Sequence, residues 1–580
     1  MFTELNIPKK FAYPYKSEQF SKKEKEVLSS FFTNIDKPVF AIYNLPQEVV
    51  GAMFSRYSRS DKSIRRLFLD EFWDPSISSF SLNNKRLKKA EERTSNFYKK
   101  VYAEFGDDSV IQVGSVHIAF EYVSQIAAKA IEDQRIGAAY IEKSTRYVNF
   151  GSDKDGRFLY MDVPEIKKLP VYKEYRKWND EAFNFYNKNL LIAMEFLRNK
   201  YPIDEQTFEM ISTGKAFKFK DFPDHLEKEK LQRAYERALK AKAFDTVRVF
   251  LPTTSVTNLG AHLSGQAAEN TINKMLLSHY SEVRLLGQMA YVELLKVVPN
   301  FLQNIEHKYG QIARDYRNDI LSLQQKSVNK YISSMKLTDD NEGVSLVDWD
   351  KNAAANIVSQ ILYTGQTKTY LSKTGFYKWA TKKANKNKVL RILYDSIPDR
   401  SQHKYNRRHK LPRAFEHAFV EVEFFKDFGI YRDLQRNRMS STERLYLTAE
   451  NLYIPPEFLE KGMEEIYTDY LTLHKDTITL NKKVRKHGLE VSEYITILGN
   501  KLRFNVRANI RQWVFFAELR TIAGGHPSYR DCMQKAVKLI TKKLPYLKNI
   551  FAKVDWIPDY GLGRLKAEVS TQEALSKIKK

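Results

Sequence analysis

The chain has 580 residues, 43% hydrophobic and 13% aromatic, enough to bury more than one core; only 22 Gly and 18 Pro argue against a fibrous or low-complexity protein. Its 95 Lys and Arg against 70 Asp and Glu give a net charge of +25, which suits anionic partners such as nucleotides, folate tails or nucleic acid. The single cysteine, Cys532, excludes an intrachain disulfide and a cysteine-based zinc site, and no metal is expected.

The start, MFTELNIPKKFAYPYK, lacks the apolar core of a secretion signal. No run reaches the roughly 18 apolar residues of a membrane span, so a cytoplasmic location without membrane attachment is expected. Gly51 to Arg59 (GAMFSRYSR) reads as the ordered start of a first unit. Residues 182–201 place Phe183, Tyr186, Leu190, Met194, Leu197 and Tyr201 on one stripe, which predicts an amphipathic helix. Residues 227–250 and 267–298 also read as helices. Polar turns at 339–343 (DDNEG) and 384–388 (ANKNK) put the join between two halves near 335–400. Residues 415–425 (FEHAFVEVEFF) partly alternate and predict a strand. The expected organisation is a first unit at 1–335, a linker region at 336–400 and a second unit at 401–580, mostly helical with short strands.

A weak internal repeat joins the halves. Residues 113–138 and 416–441 each run from an apolar segment into a charged one, ending in Asp-Gln-Arg-Ile or Arg-Asn-Arg-Met. Superposing Arg135 on Arg438 sets an offset of 438 − 135 = 303 residues, about half the chain.

The second half holds the sharper chemical signal, Arg436-Asn437-Arg438-Met439-Ser440-Ser441. Two arginines one residue apart, followed by a hydroxyl, can grip a phosphate or a polar ring edge through forked donors. Phe415-Glu416-His417 lies upstream; Arg503, Asn509, Arg511 and the Leu519-Arg520 pair lie downstream. In the first half, Glu142-Lys143-Ser144-Thr145-Arg146-Tyr147 offers hydroxyls and a guanidinium of the kind that hold a phosphate. Taken singly, each arginine is more readily read as a surface ion pair, and the plain reading of the 142–147 stretch is a solvated turn.

As a set, these residues resemble the flavin-dependent thymidylate synthases. Residues 436–441 resemble that family's Arg-His-Arg-x-x-Ser signature, with Asn437 in place of His, and Glu142 to Tyr147 resembles its Glu-x-Ser-x-Arg-Tyr loop. The resemblance implies an α+β fold of two tandem synthase-like units, helices packed on short, mainly antiparallel sheets. It implies FAD contacts for Arg135, His417, Arg436, Asn437, Arg438, Ser441 and Asn509. It implies dUMP binding by Glu142, Ser144, Thr145, Arg146, Tyr147, Arg436, Arg503 and Arg511, with Ser144, Arg146 and Arg511 in the catalytic set. Each half departs from the pattern in a different place. Asp133 and Gln134 replace the Arg-His of the first half, and Gly114 stands where the family histidine falls, with His117 three residues away. Counting from Leu251-Pro252, Asn258, Ser264 and Gln266 stand where the family has Arg, Asn and Arg. The second half has no Ser-x-Arg-Tyr loop after Ser441.

The implied reaction is reductive methylation of dUMP to dTMP, with methylenetetrahydrofolate and NADPH as co-substrates. Family sites assemble at the subunit interfaces of a homotetramer. The expectation is therefore a composite site shared by the two halves, in a homodimer that imitates the tetramer. A chain whose sole thiol is Cys532 suits a family without a cysteine nucleophile. The Gly524-Gly525-His526-Pro527 turn offers another histidine, read as structural. Alternatives on the same scaffold are a pyrimidine nucleotide hydroxymethylase, a flavin-free nucleic-acid-binding protein and a silent structural relative. The basic runs at 400–413 (RSQHKYNRRHKLPR) and 535–548 (KAVKLITKKLPYLK) favour the nucleic-acid reading.

Overall fold

The computed structural model describes residues 15–45, 53, 57, 60–73, 115–152, 155–210, 213–335, 343–558 and 561–578. Gly114 and all of Gly51 to Arg59 except Met53 and Tyr57 lie outside the described residues. The chain forms two compact units. One draws on Met1–Asn187, Phe250–Thr338 and Thr472–Ile497, the other on Lys188–Val249, Asp339–Leu471 and Leu498–Lys580. These units do not coincide with 1–335 and 401–580, because each includes a segment from the other's half of the sequence. The helix Tyr172–Lys200, 29 residues and so roughly 44 Å long, changes unit after Asn187. Residues 344–395, within the stretch read as a linker, form a strand and three helices of the second unit.

The strands are β1 (Val39–Ile42), β2 (Ser115–Ser124), β3 (Ala138–Glu142), β4 (Thr207–Glu209), β5 (Ala216–Lys218), β6 (Val256–Ser264), β7 (Val344–Trp349), β8 (Phe419–Asp427), β9 (Ser441–Arg444) and β10 (Lys501–Asn509). The first unit has an antiparallel sheet in the order β1-β2-β6-β3, and the second one in the order β7-β8-β10-β9. The orders are the same, position for position. Helices Gln125–Ile131 and Phe428–Leu434 start 428 − 125 = 303 residues apart, and β3 and β9 start 441 − 138 = 303 apart. Strands β6 and β10 start 501 − 256 = 245 apart, so the second copy is shorter before its central strand. The chain is an α+β protein with an internal duplication.

Each copy turns from strand to helix through a side-chain cap. Ser124 Oγ accepts the Ala127 N–H at 3.0 Å and Asp427 Oδ1 accepts that of Ile430 at 3.0 Å. Ser264 Oγ accepts from Ala267 N at 3.3 Å and Asn509 Oδ1 from Gln512 N at 2.8 Å. Each cap satisfies a first-turn N–H that would otherwise lack a partner, worth about 1 kcal/mol.

One face of each sheet packs on helices. In β10 the sequence KLRFNVRAN alternates, so Leu502, Phe504, Val506 and Ala508 are buried, and Phe424 stacks on Phe504 with centroids 5.2 Å apart. Trp513 is fully buried beneath β8 and donates Nε1–H to Val420 O at 2.9 Å. In the first unit Ile118, Phe120, Leu259 and Ala261 pack with Ile272, Leu286 and Met289.

The other faces differ. The second sheet carries Glu421 and Glu423 of β8 against Arg503, Asn505 and Arg507 of β10. Strand register puts His117 and His262 of the first sheet where the second has Glu421 and Arg507, and Ala119 and Gly260 where it has Glu423 and Asn505. Those small residues leave room for a cover drawn from the described residues between 20 and 73. Phe20, Phe32, Phe40, Ile42, Tyr57 and Phe68 bury themselves there with Ala119. A polar linchpin holds the cover: Arg65 lies 3.5 Å from the Phe40 ring centroid and 3.9 Å from Glu121 Oε2, and donates to Asn34 and Lys37 oxygens at 2.9 to 3.1 Å. Glu121 Oε1 accepts from Tyr57 Oη at 3.2 Å and Ile64 N at 3.1 Å.

Candidate functional site

In the second unit the signature lies in the turn between the helix Phe428–Leu434 and β9. Backbone bonds Asn437 N–H to Leu434 O and Ser440 N–H to Asn437 O, both 3.2 Å, fix its course, and Ser440 Oγ donates to the Asn437 carbonyl at 2.7 Å. Arg520, from the end of the helix Ile510–Arg520, donates to Asp433 O and braces the turn from behind. The turn presents Arg436 and Arg438 outward while Asn437 points in and is buried. Gln512 donates its side-chain amide to Asn437 Oδ1, and Asn437 Nδ2 is buried with no hydrogen-bond partner. A buried donor without an acceptor costs about 1–3 kcal/mol, a cost that an acceptor on a bound group would remove. Ser441 is exposed on β9, opposite Arg507.

Neighbouring residues carry polar groups to the same sheet. Asn509, at the end of β10, uses its carbonyl as a helix cap, so its Nδ2 hydrogens remain for other acceptors. Arg503 Nη1 lies 3.0 Å from Glu423 Oε1 and its guanidinium sits 4.6 Å from the Phe425 ring centroid. Arg507 Nη1 is 3.1 Å from Glu421 Oε2. Arg511 is engaged structurally, donating to Leu411 O and Glu416 Oε1, each at 2.6 Å, and so holds the segment that carries His417. His417 itself is exposed, with Nδ1 3.1 Å from Lys373 Nζ. Desolvation and the Lys373 ammonium lower its pKa, which favours the neutral ring. The lysine has no acceptor lone pair, so Nδ1 accepts and Nε2 carries the hydrogen.

In the first unit, residues 142–147 follow β3 directly. Glu142 is buried and accepts from Lys129 Nζ at 3.0 Å in a cluster that includes Glu132, which makes it an anchor of the loop. Lys143 N–H donates to Asn258 O at 2.8 Å. Ser144 Oγ accepts the Arg146 N–H at 3.2 Å, and Ser144 O accepts from Tyr147 N and Val148 N at 3.3 and 3.2 Å. The result is a tight turn with Thr145 buried, Arg146 half-buried and Tyr147 exposed. Lys143 Nζ lies 4.8 Å from the Phe150 ring centroid, and burial pulls its pKa down to about 8. Arg135 is exposed on the turn into β3, the counterpart of Arg438 by the 303 offset.

His117 is not a displaced counterpart of His417. It lies within β2, stacked in register with His262 (Nε2 to Nδ1, 3.0 Å), while His417 precedes β8. Asn258 Oδ1 accepts the N–H of Tyr122, a bulge residue held at φ 57°, where the second copy has Arg503. His526 is a cap: its Nδ1 accepts from Ser528 N at 3.2 Å and its Nε2 faces Asp245 O at 3.3 Å. Cys532 is fully buried, and burial pushes its thiol up to about 12, far from a nucleophilic thiolate. Among the described residues no cluster of three or more His, Cys, Asp or Glu forms a metal site. No described helix is long and apolar enough to cross a membrane. Sequence reasoning missed Gln512, Lys373 and the carboxylates opposite Arg503 and Arg507. The last had a signal, because VEVEFF and LRFNVRAN alternate in phase.

The family profile for thymidylate synthase complementing protein matches residues 73–300 and again 346–546. The chain belongs to the thymidylate synthase complementing protein family. The two matched stretches contain the two duplicated sheets apart from β1 and the first residues of β7. The chain is 33% identical over 557 residues to a UPF0159 protein of Chlamydia muridarum, covering 95% of this chain and 98% of that one. It is 31% identical to a UPF0159 protein of Chlamydia pneumoniae (96% and 98% covered) and 26% identical to one from Thermoplasma acidophilum (90% and 97%). Membership implies chemistry of the thymidylate synthase type.

Proposed function

We propose that this protein converts dUMP to dTMP by reductive methylation, with FAD as cofactor and methylenetetrahydrofolate and NADPH as co-substrates. The observation that carries the reading is the orphaned Asn437 Nδ2, buried between outward-facing Arg436 and Arg438. A donor left unmatched inside the protein calls for a ligand acceptor, and a flavin edge offers carbonyl and ring-nitrogen acceptors. FAD, when bound, supplies the hydride.

The chain's own residues then bind and orient. Arg436 and Arg438 offer forked donors to phosphate or to a polar ring edge. Asn509 Nδ2 and His417 Nε2–H add two neutral donors. Ser144 Oγ already accepts the Arg146 N–H and so directs its own hydrogen to a phosphate oxygen, beside the Arg146 charge. Arg503 polarises a pyrimidine carbonyl, its guanidinium set 4.6 Å from the Phe425 ring centroid. Arg511 acts by positioning the His417 segment. The buried Cys532 thiol supports a route without a protein thiolate. The Ser144 turn and the Arg436 to Arg438 turn are both required, and the assembly we propose is a homodimer.

The test is direct. Purified protein should carry flavin absorbance, form dTMP from dUMP, and rescue a thymidine-requiring host. Arg438→Ala and Ser144→Ala should each abolish rescue. A colourless protein that FAD does not reconstitute would sink the reading. A hydroxymethyl product would replace it with the nucleotide hydroxymethylase, and loss of activity in only one variant would refute the requirement for both turns.

A further inference from the structure

The second unit carries a cavity of about 760 Å³ whose lining includes no residue of the polar sheet face. Its lining includes Asp399, Ser401, Lys538, Lys548, Asn549 and Trp556. Ser401 belongs to the basic run at 400–413 and Lys538 and Lys548 to that at 535–548, more than a hundred residues away in sequence, so the cavity joins the two runs at one wall. Lys553 Nζ makes the joint, donating to Ser401 O at 3.0 Å and Gln402 O at 2.9 Å. Arg400 pins the start of the first run, with a guanidinium nitrogen 2.7 Å from each oxygen of buried Glu518. Arg511 pins the end through Leu411 O at 2.6 Å.

The chemistry of the cavity is specific. Trp556 is 46% exposed, unusual for so large an apolar ring, and presents an aromatic surface at the mouth. Lys538 Nζ sits 5.8 Å from the Trp556 ring centroid. Lys538 and Lys548 are exposed, and neither is paired with a carboxylate among the described residues. Asp399 is the one acidic residue in the lining, and its Oδ1 is taken up by the Ser401 N–H at 2.9 Å. Between Arg400 and Arg413 the sequence has no Asp or Glu at all. An aromatic face beside unpaired lysines and an acid-free basic loop matches a planar base joined to phosphate.

We propose that this cavity is a nucleotide-binding site, with the base laid against Trp556 and phosphate held by Lys538 and Lys548. Two sources carry that chemistry, a free nucleotide and a unit of a single-stranded nucleic acid. The proposal stands apart from the synthase reading, since none of its residues belongs to the sheet face.

The test uses the full-length protein with two probes: fluorescein-labelled decathymidylate followed by anisotropy, and free dAMP followed by calorimetry. Trp556→Ala should weaken the bound probe about tenfold or more, the effect of removing one stacking platform. Lys538→Gln with Lys548→Gln should flatten the salt dependence of decathymidylate binding by about 1.4 log units per log unit of salt, at roughly 0.7 per contact. Thermal melting of each variant, at exposed positions, should match the parent. Binding of decathymidylate alone, lost in Trp556→Ala, supports the single-strand source; binding of dAMP, lost likewise, supports the free nucleotide. Binding of neither probe, or binding untouched by all three substitutions, overturns the site.

Discussion

Gln512 donates to Asn437 Oδ1 and thereby fixes the Asn437 amide so that its Nδ2 faces no acceptor in the protein. Two residues on different elements thus hold one donor ready for a ligand. Gln512→Leu should remove that orientation and leave a buried carbonyl unsatisfied, at a cost of about 1–3 kcal/mol. Asn437→Ala removes the orphan itself, so apoprotein stability should stay within about 1 kcal/mol of the parent while flavin retention falls. Denaturant melts and flavin absorbance after gel filtration separate the two. A large stability loss in Asn437→Ala without flavin loss would make the residue structural.

The His117–His262 pair of the first unit predicts an acid-sensitive fold. Burial first, and then the neighbouring His262, pull the His117 pKa from 6.5 to about 4. In the unfolded chain His117 takes its proton near pH 6.5; in the native chain only near pH 4. Between those values the unfolded state binds more protons, so stability falls as pH drops from about 6.5 to about 4, then levels off. The upper bound is about 3 kcal/mol for this one group. His117→Gln should flatten that limb of the stability curve, measured by chemical denaturation across the range. An unchanged slope would show that other groups carry the effect.

The duplication was legible because Arg135 and Arg438 sit on turns that each copy needs, following helices of the same length. The helices at 182–201 and 227–250 were legible from their apolar spacing. The second-unit strand was legible from VEVEFF, although a short helical turn at Arg413–His417 delays its start to Phe419. The exchange of segments between units was not legible, because periodicity shows which face of a helix is buried but not what buries it. The residue types at 436–438 were evident; the burial of Asn437 between exposed arginines was not, since it depends on Gln512, seventy-five residues away. Nor did sequence show that Ala119 and Gly260 make room for Phe40 on a sheet face that is charged in the other copy.

Arg65 closes that face, and its loss should be costly. Its guanidinium is buried against Phe40 and Glu121 and donates to three oxygens of residues 34 and 37. Arg65→Met would keep much of the volume but leave Glu121 as a buried carboxylate without its cation, for about 3–5 kcal/mol. Burial already raises the Glu121 pKa, and removing Arg65 should raise it further. The variant should therefore melt lower, and a second change, Glu121→Gln, should recover part of the loss. Hydrogen exchange of residues 20–42 reads out the same opening. No recovery in the double variant would mean that Arg65 acts through its Asn34 and Lys37 acceptors rather than through Glu121.

Lys143 occupies the variable second position of the Glu142 to Tyr147 loop, and its titration is displaced. Burial pulls its pKa down to about 8, with Asp61 opposing the shift. Below pH 8 the loop carries this cation in addition to Arg146; above it, the lysine is neutral and one positive charge is lost. If the loop holds the phosphate of dUMP, affinity should fall as pH rises through about 8, because a dianion gains less from one cation than from two. Lys143→Arg keeps its charge throughout, and the dUMP KM of that variant should stay flat to pH 9.5 or so. Lys143→Met should show the weakened, pH-independent KM at all values, with little change in kcat, since the interaction is made equally in ground and transition states. A parent KM that does not respond between pH 7 and 9, alongside a normal kcat, would remove Lys143 from phosphate recognition and leave Ser144 and Arg146 to carry it.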